Sequence, residues 1–174
     1  LAGPTLADDL RALEEHRRHL AMVELRADFL APGEAARAVE LPRLAGVPAL
    51  LTVRRARDGG AFRGSEDERV ALLDRLLDGG FAFVDLEEDL EAPGPAARAA
   101  RAGTRVIRSL HDFDGVPADL AGRLRRLARS PGEIPKAAVM PRGSADLVRI
   151  LRAARGMGQA ERIILGMGEA GFPT

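Results

Sequence analysis

Short apolar runs alternate with amphipathic helical stretches along the whole chain, and this alternation constrains the fold more than any single residue does. The strand candidates are Met22–Phe29, Ala49–Arg54, Phe81–Glu87, Arg105–His111, Pro135–Met140 and Arg162–Gly166, and most carry Val, Ile or Phe. Between them, Leu6–Leu20 sets Leu6, Leu10, Leu13 and Leu20 on roughly one face. Ser65-Glu66-Asp67-Glu68 is a capping box ahead of the stripe Val70, Leu73, Leu76 and Leu77. Pro93–Ala102 is Ala-rich, Pro117–Arg129 reads as a helix with Pro near its start, and Ser144–Arg155 as one opened by a Ser cap. Strand–helix–strand alternation predicts an α/β fold with a parallel sheet.

Two architectures share this pattern, an open doubly wound sheet and a (β/α)8 TIM-type barrel. An open sheet collects its site at one switch point, whereas a barrel draws site residues from the ends of many strands. Nearly every strand candidate here ends in ionisable or polar groups, which favours the barrel. Six complete strands are visible, so the expectation is a single barrel domain over residues 1–174. It is expected to be incomplete at both ends, lacking most of the first strand and the final strand and helix.

Composition narrows the function classes. Formal charge is zero at pH 7, so no global field attracts nucleic acid or an anionic membrane. The absence of Tyr and Trp removes the stacking platforms of single-strand binders. Zero cysteine excludes disulfides, thiolate catalysis and thiolate metal sites. No apolar run approaches the ~20 residues of a membrane span, and the first residues do not form a signal peptide. A soluble, cytoplasmic protein is expected.

Of the 26 Lys and Arg residues only one, Lys136, is lysine. It sits in Ile134-Pro135-Lys136-Ala137-Ala138-Val139-Met140-Pro141, which reads as a buried strand. A guanidinium stays protonated at workable pH, but a lysine amine can lose its proton and attack carbonyls. Lys136 is therefore a candidate Schiff-base nucleophile, set against an arginine-biased composition that leaves one lysine by chance. His111 is the only histidine at a strand terminus, where a general acid/base belongs, although a lone histidine is commonly structural. His16 and His19 fall on the first helix and read as surface residues.

In Val23-Glu24-Leu25-Arg26-Ala27-Asp28-Phe29, strand alternation puts Val23, Leu25, Ala27 and Phe29 on one face and Glu24, Arg26 and Asp28 on the other. In a barrel the charged set points inward, where its members must pair with each other or with a ligand; on an edge strand it is a solvated face. Arg54 shares the Thr52 face at a strand end, ahead of Arg55-Ala56-Arg57-Asp58-Gly59-Gly60, where it could hold a carboxylate in bidentate fashion. Spacing alone favours a solvated loop for these arginines. Asp85 and Glu87 share a face in Phe83-Val84-Asp85-Leu86-Glu87. Gly166-Met167-Gly168-Glu169-Ala170-Gly171 matches G-x-G-x-x-G formally, but a dinucleotide fingerprint needs a following helix, strand and acidic residue. A tight glycine loop is the better reading, and no metal site is expected.

Taken in order, Val23–Asp28, Thr52-Val53-Arg54 with Asp58-Gly59-Gly60, Val84–Glu87, Ser109–Phe113, Pro135–Pro141 and Met167–Gly171 resemble type I 3-dehydroquinate dehydratase, the Schiff-base-forming dehydroquinase of the shikimate pathway. The resemblance implies a (β/α)8 barrel lyase, needing no external cofactor, that dehydrates the small molecule 3-dehydroquinate to 3-dehydroshikimate, with a homodimer as its assembly and neither nucleic acid nor membrane as partner. It implies that Lys136 forms an imine with the C3 ketone, and that His111 removes the C2 proton and delivers it to the departing C1 hydroxyl. Asp58 stands where the family has a glutamate that orients the histidine, one methylene shorter. Glu24, Arg26 and Arg54 would bind the substrate hydroxyls. The family's carboxylate-binding arginine and lid are expected beyond Thr174. Two other readings remain: another Schiff-base barrel such as an aldolase, and a truncated barrel serving as an interaction module.

Overall fold

A computed structural model describes all 174 residues. Six strands alternate with seven helices: α1 (Leu6–His16), β1 (Val23–Arg26), α2 (Leu41–Ala45), β2 (Ala49–Thr52), α3 (Glu66–Leu76), β3 (Phe83–Glu87), α4 (Pro93–Ala102), β4 (Arg105–Asp112), α5 (Leu120–Leu127), β5 (Ile134–Val139), α6 (Ser144–Gly156), β6 (Ile163–Gly166) and α7 (Gly168–Gly171). The parallel α/β fold expected from the alternation is present. The chain forms two compact units, Leu1–Asp85 with Glu91–Val106, and Leu86–Leu90 with Ile107–Thr174.

In the first unit β1, β2 and β3 pair in parallel, with Leu25 opposite Leu51 and Leu51 opposite Val84. Register partners in a parallel ladder share a face, so these three form one apolar row, and all are fully buried. The opposite face carries the row Arg26, Thr52 and Asp85. Leu1 adds the bond pattern of a parallel bridge opposite Leu25: its amine donates to the Glu24 carbonyl at 2.8 Å, and the Arg26 amide donates to its carbonyl at 2.9 Å.

The capping box expected at Ser65 is present, with the Glu68 amide donating to Ser65 Oγ at 3.2 Å and the Ser65 amide donating to Glu68 Oε2 at 2.7 Å. The buried stripe of α3 differs from expectation in one residue. Arg69 is wholly buried while Val70 lies half-buried. The guanidinium survives burial because Nη1 donates to the Val53 carbonyl at 3.0 Å and Nη2 pairs with Glu66 at 2.6 Å.

In the second unit β4, β5 and β6 pair in parallel. Leu110, Ala137 and Val139 pack against Leu120, Leu124 and Ile150 in one apolar cluster. Full burial of a leucine side chain there contributes about 2 kcal/mol, so the amphipathic stripe rather than helix propensity holds α5. Two expected helix starts are corrected. α5 begins at Leu120, not Pro117, because the Asp119 side chain caps it by accepting from the Gly122 amide at 2.9 Å. α6 has Gly143 as its N-cap, and Ser144 lies inside the first turn. α2 was not foreseen, since five residues are too few to display a helical stripe.

Candidate functional site

In the first unit, β1 and β2 bring polar side chains together on one face. Thr52 Oγ1 donates to Glu24 Oε1 at 2.6 Å. One residue pair further along, β1 stops and Ala27–Phe29 closes into a 3-10 turn. The strand alternation expected through Phe29 is therefore corrected beyond Arg26. The turn folds Asp28 back onto its neighbour, so that Arg26 Nε donates to Asp28 Oδ1 at 2.9 Å and Nη2 to Oδ2 at 2.7 Å. It also leaves Phe29 43% exposed, with the Arg26 guanidinium over its ring at 4.8 Å. Asp28 Oδ2 accepts further from the Ala61 amide at 2.9 Å. Burial alone would raise the Asp28 pKa, but the bonds from Arg26, Ala61 and the Arg54 amide hold it below the ordinary value. The hydrogen bond to Asp28 raises Arg26 in turn.

Arg54 is not in a solvated loop. It is 4% exposed, and its Nη2 pairs with Asp85 Oδ2 at 3.0 Å. Of the three neighbouring arginines only Arg57 reaches solvent fully. The following loop turns back on Arg54: the Phe62 amide donates to the Arg54 carbonyl at 3.1 Å, and the Gly60 amide to the Arg55 carbonyl at 2.9 Å. Glycine is required there, since a Cβ on Gly60 would lie 2.1 Å from the Arg54 oxygen, while Gly59 takes φ 78°. Asp58 ends the 3-10 turn Ala56–Asp58 and accepts from Arg55 Nε at 2.6 Å.

In the second unit, β5 is buried along its length and Lys136 is 8% exposed. Ser109 lies opposite Lys136 and His111 opposite Ala138. Ser109, His111, Lys136 and Ala138 therefore share one face, while Leu110, Ala137 and Val139 face the helical cluster. Lys136 and His111 are diagonal neighbours, about 8 Å apart at their Cα atoms from strand spacing and rise. A lysine stem spans most of that gap. The His111 ring stacks loosely on Phe113, with centroids 6.5 Å apart and planes inclined by 21°. Below this row, Arg108 is held by Glu133, Nη2 to Oε1 at 2.9 Å.

The glycine loop after β6 packs backbone on backbone. A Cβ on Gly171 would lie 2.2 Å from the Gly166 carbonyl oxygen. The helix it opens, α7, has only four residues, which does not supply the helix end that a dinucleotide pyrophosphate occupies. No group of three His, Asp or Glu side chains is placed to hold a metal ion. The pairing of Asp28 with Arg26 is one the strand motif allowed, whereas two partners were passed over: Thr52 on Glu24 and Asp85 on Arg54. Each stands in an alternating strand motif, so the residue type was visible but the pairing was not.

Comparison with known proteins gives a consistent answer. A family model described as type I 3-dehydroquinase matches residues 1–174. The 3-dehydroquinate dehydratase of Syntrophobacter fumaroxidans is 37% identical over 131 residues, covering 71% of this chain and 55% of that protein. That of Methanothermobacter thermautotrophicus is 36% identical over 160 residues, covering 88% and 68% respectively. The crystal structure of 3-dehydroquinate dehydratase from Geobacillus kaustophilus superposes with a TM-score of 0.87 at 28% identity, over 98% of this chain and 73% of that one. The chain thus spans between about half and three quarters of the length of these proteins. With a family match along its whole length, this chain belongs to the type I 3-dehydroquinase family.

Proposed function

We propose that this chain carries the chemistry of 3-dehydroquinate dehydration through an imine on Lys136. The observation that supports this best is the buried lysine sharing a strand face with His111, two rungs along the ladder. The Lys136 amine adds to the C3 ketone and water leaves, giving an iminium. The iminium draws electrons from the adjacent C2–H bond, and His111 takes that proton. The resulting enamine expels the C1 hydroxyl, which leaves as water with the proton returned by His111. Water then hydrolyses the product imine, releasing 3-dehydroshikimate and restoring the amine.

The remaining roles follow the same reading. Asp58 orients the His111 imidazole. Glu24, Arg26 and Arg54 bind substrate hydroxyls, with Thr52 fixing the Glu24 carboxylate and Asp85 the Arg54 guanidinium. The six strands are six of a (β/α)8 barrel in one domain, and the assembly is a homodimer.

Borohydride reduction in the presence of 3-dehydroquinate tests the central step. Mass spectrometry should find a reduced ligand adduct on the peptide containing Lys136, absent in Lys136→Ala. An unlabelled Lys136, under conditions that label a full-length dehydroquinase, overturns the proposal.

A further inference from the structure

We propose that Asp28 is the positioning residue of this site, fixing one arginine by its side chain and another by its backbone. The inference rests on the reading of Arg26 and Arg54 as substrate-binding residues. The Asp28 side chain is wholly buried and accepts four hydrogen bonds: Arg26 Nε at 2.9 Å, Arg26 Nη2 at 2.7 Å, the Ala61 amide at 2.9 Å and the Arg54 amide. An ionised carboxylate offers about four acceptor sites, so this one is filled and has none left for a ligand.

Two consequences follow for what the site accepts. The Nε–Nη2 edge is one of the two forks with which an arginine grips a carboxylate, and in Arg26 Asp28 already occupies it. The Phe29 ring covers part of the guanidinium plane. What remains is the end-on Nη1–Nη2 edge, the one fork left to a ligand. Arg26 thereby meets a ligand only through that edge. Secondly, the Ala61 and Arg54 amides tie the loop after β2 to the turn after β1. The loop holds its shape only with Gly59 and Gly60, so carboxylate and glycines act on the same segment.

The test compares wild type, Asp28→Asn, Arg26→Ala and the double variant. Nitrogen-15 NMR of the Arg26 Nε–H needs no turnover. Asp28→Asn should speed its solvent exchange by about tenfold or more, the equivalent of one charge-assisted hydrogen bond. Unchanged exchange overturns the proposal. Turnover of 3-dehydroquinate adds the functional arm. Asp28→Asn should raise KM about tenfold with a smaller change in kcat, and should add less in the Arg26→Ala background than in wild type, where only the Ala61 and Arg54 amides are left for it to hold. Full additivity of the two substitutions overturns the positioning role while leaving the site reading intact. Wild-type kcat/KM in Arg26→Ala overturns the site reading, and the inference with it. If Asp28→Asn does not fold, Asp28→Glu keeps the charge but changes the reach, and faster Nε exchange is again expected; wild-type exchange in that folded variant counts against the role.

Discussion

Replacing Glu133 by Gln tests the strand register on which the Lys136–His111 relation depends. Arg108 stands opposite Pro135, one rung below the Ser109–Lys136 pair. Its guanidinium is 2% exposed, and Glu133 takes it with both oxygens, at 2.9 and 3.3 Å. The Glu87 carbonyl is its one other acceptor, at 3.5 Å. Removing one member of a buried ion pair costs about 3–5 kcal/mol, because the other charge is left in a poor solvent. With its single oxygen in the Oε2 position, Gln still accepts from Arg108 Nε and from the Arg129 amide, although its NH2 then faces Arg108 Nη2, so the cost is about 3 kcal/mol. At about 2–4 °C per kcal/mol for a chain of this size, Tm should fall by about 6–12 °C. Thermal denaturation at pH 7 measures the Tm shift, and urea denaturation the free-energy cost.

A pH series supplies the internal control. Burial would raise the Glu133 pKa, but the hydrogen bonds from Arg108 and the Arg129 amide hold it below its ordinary value. A depressed carboxylate pKa stabilises the fold fully above about pH 4, and that contribution is lost as pH falls through the folded-state value. The wild-type and Glu133→Gln stabilities should therefore converge in acid. The paired change Arg108→Met with Glu133→Leu should recover most of the loss, since neither charge is then buried. A cost below about 1 kcal/mol at pH 7, or a gap that persists unchanged in acid, refutes the reasoning.

Gly60→Ala places a methyl 2.1 Å from the Arg54 carbonyl oxygen, so the loop must move and its bond to Asp28 opens. A loss of about 1–3 kcal/mol by thermal denaturation is expected, with weaker substrate binding. Asp9 is 2% exposed and its Oδ2 has no partner, so burial raises its pKa. A raised carboxylate pKa means stability present when protonated and lost as pH rises through the folded-state value; Asp9→Asn should therefore stabilise at pH 7 by about 1 kcal/mol and remove that slope. Ser65→Ala removes the α3 cap and should cost about 1 kcal/mol in urea denaturation.

Much of this protein is legible in one dimension because its signals are local. Short apolar runs mark β1 to β6, the box at Ser65 marks the start of α3, and the strand motifs carry the family resemblance. Lys136 and His111 could be named from residue type and place in a strand. Their relation needed the register of β4 on β5, since a shift of one residue would turn either side chain to the helical face.

Other features came from tertiary contact alone. Period-two alternation put Asp28 on a strand face with Arg26; the 3-10 turn after β1 instead made it that arginine's carboxylate partner. Arg54 read as loop because solvated and buried arginines look alike in sequence, and what buries it is the return of the loop at Gly60 and the carboxylate of Asp85. Arg69 replaced Val70 on the buried side of α3 because a carbonyl on the neighbouring chain segment accepts its guanidinium. Sequence thus determined the elements, the order of the motifs and the reactive residue types, all set by near neighbours. Only the tertiary structure decided which charges are paired and which way they face, because a buried charge is settled by whatever partner the fold brings within hydrogen-bond distance.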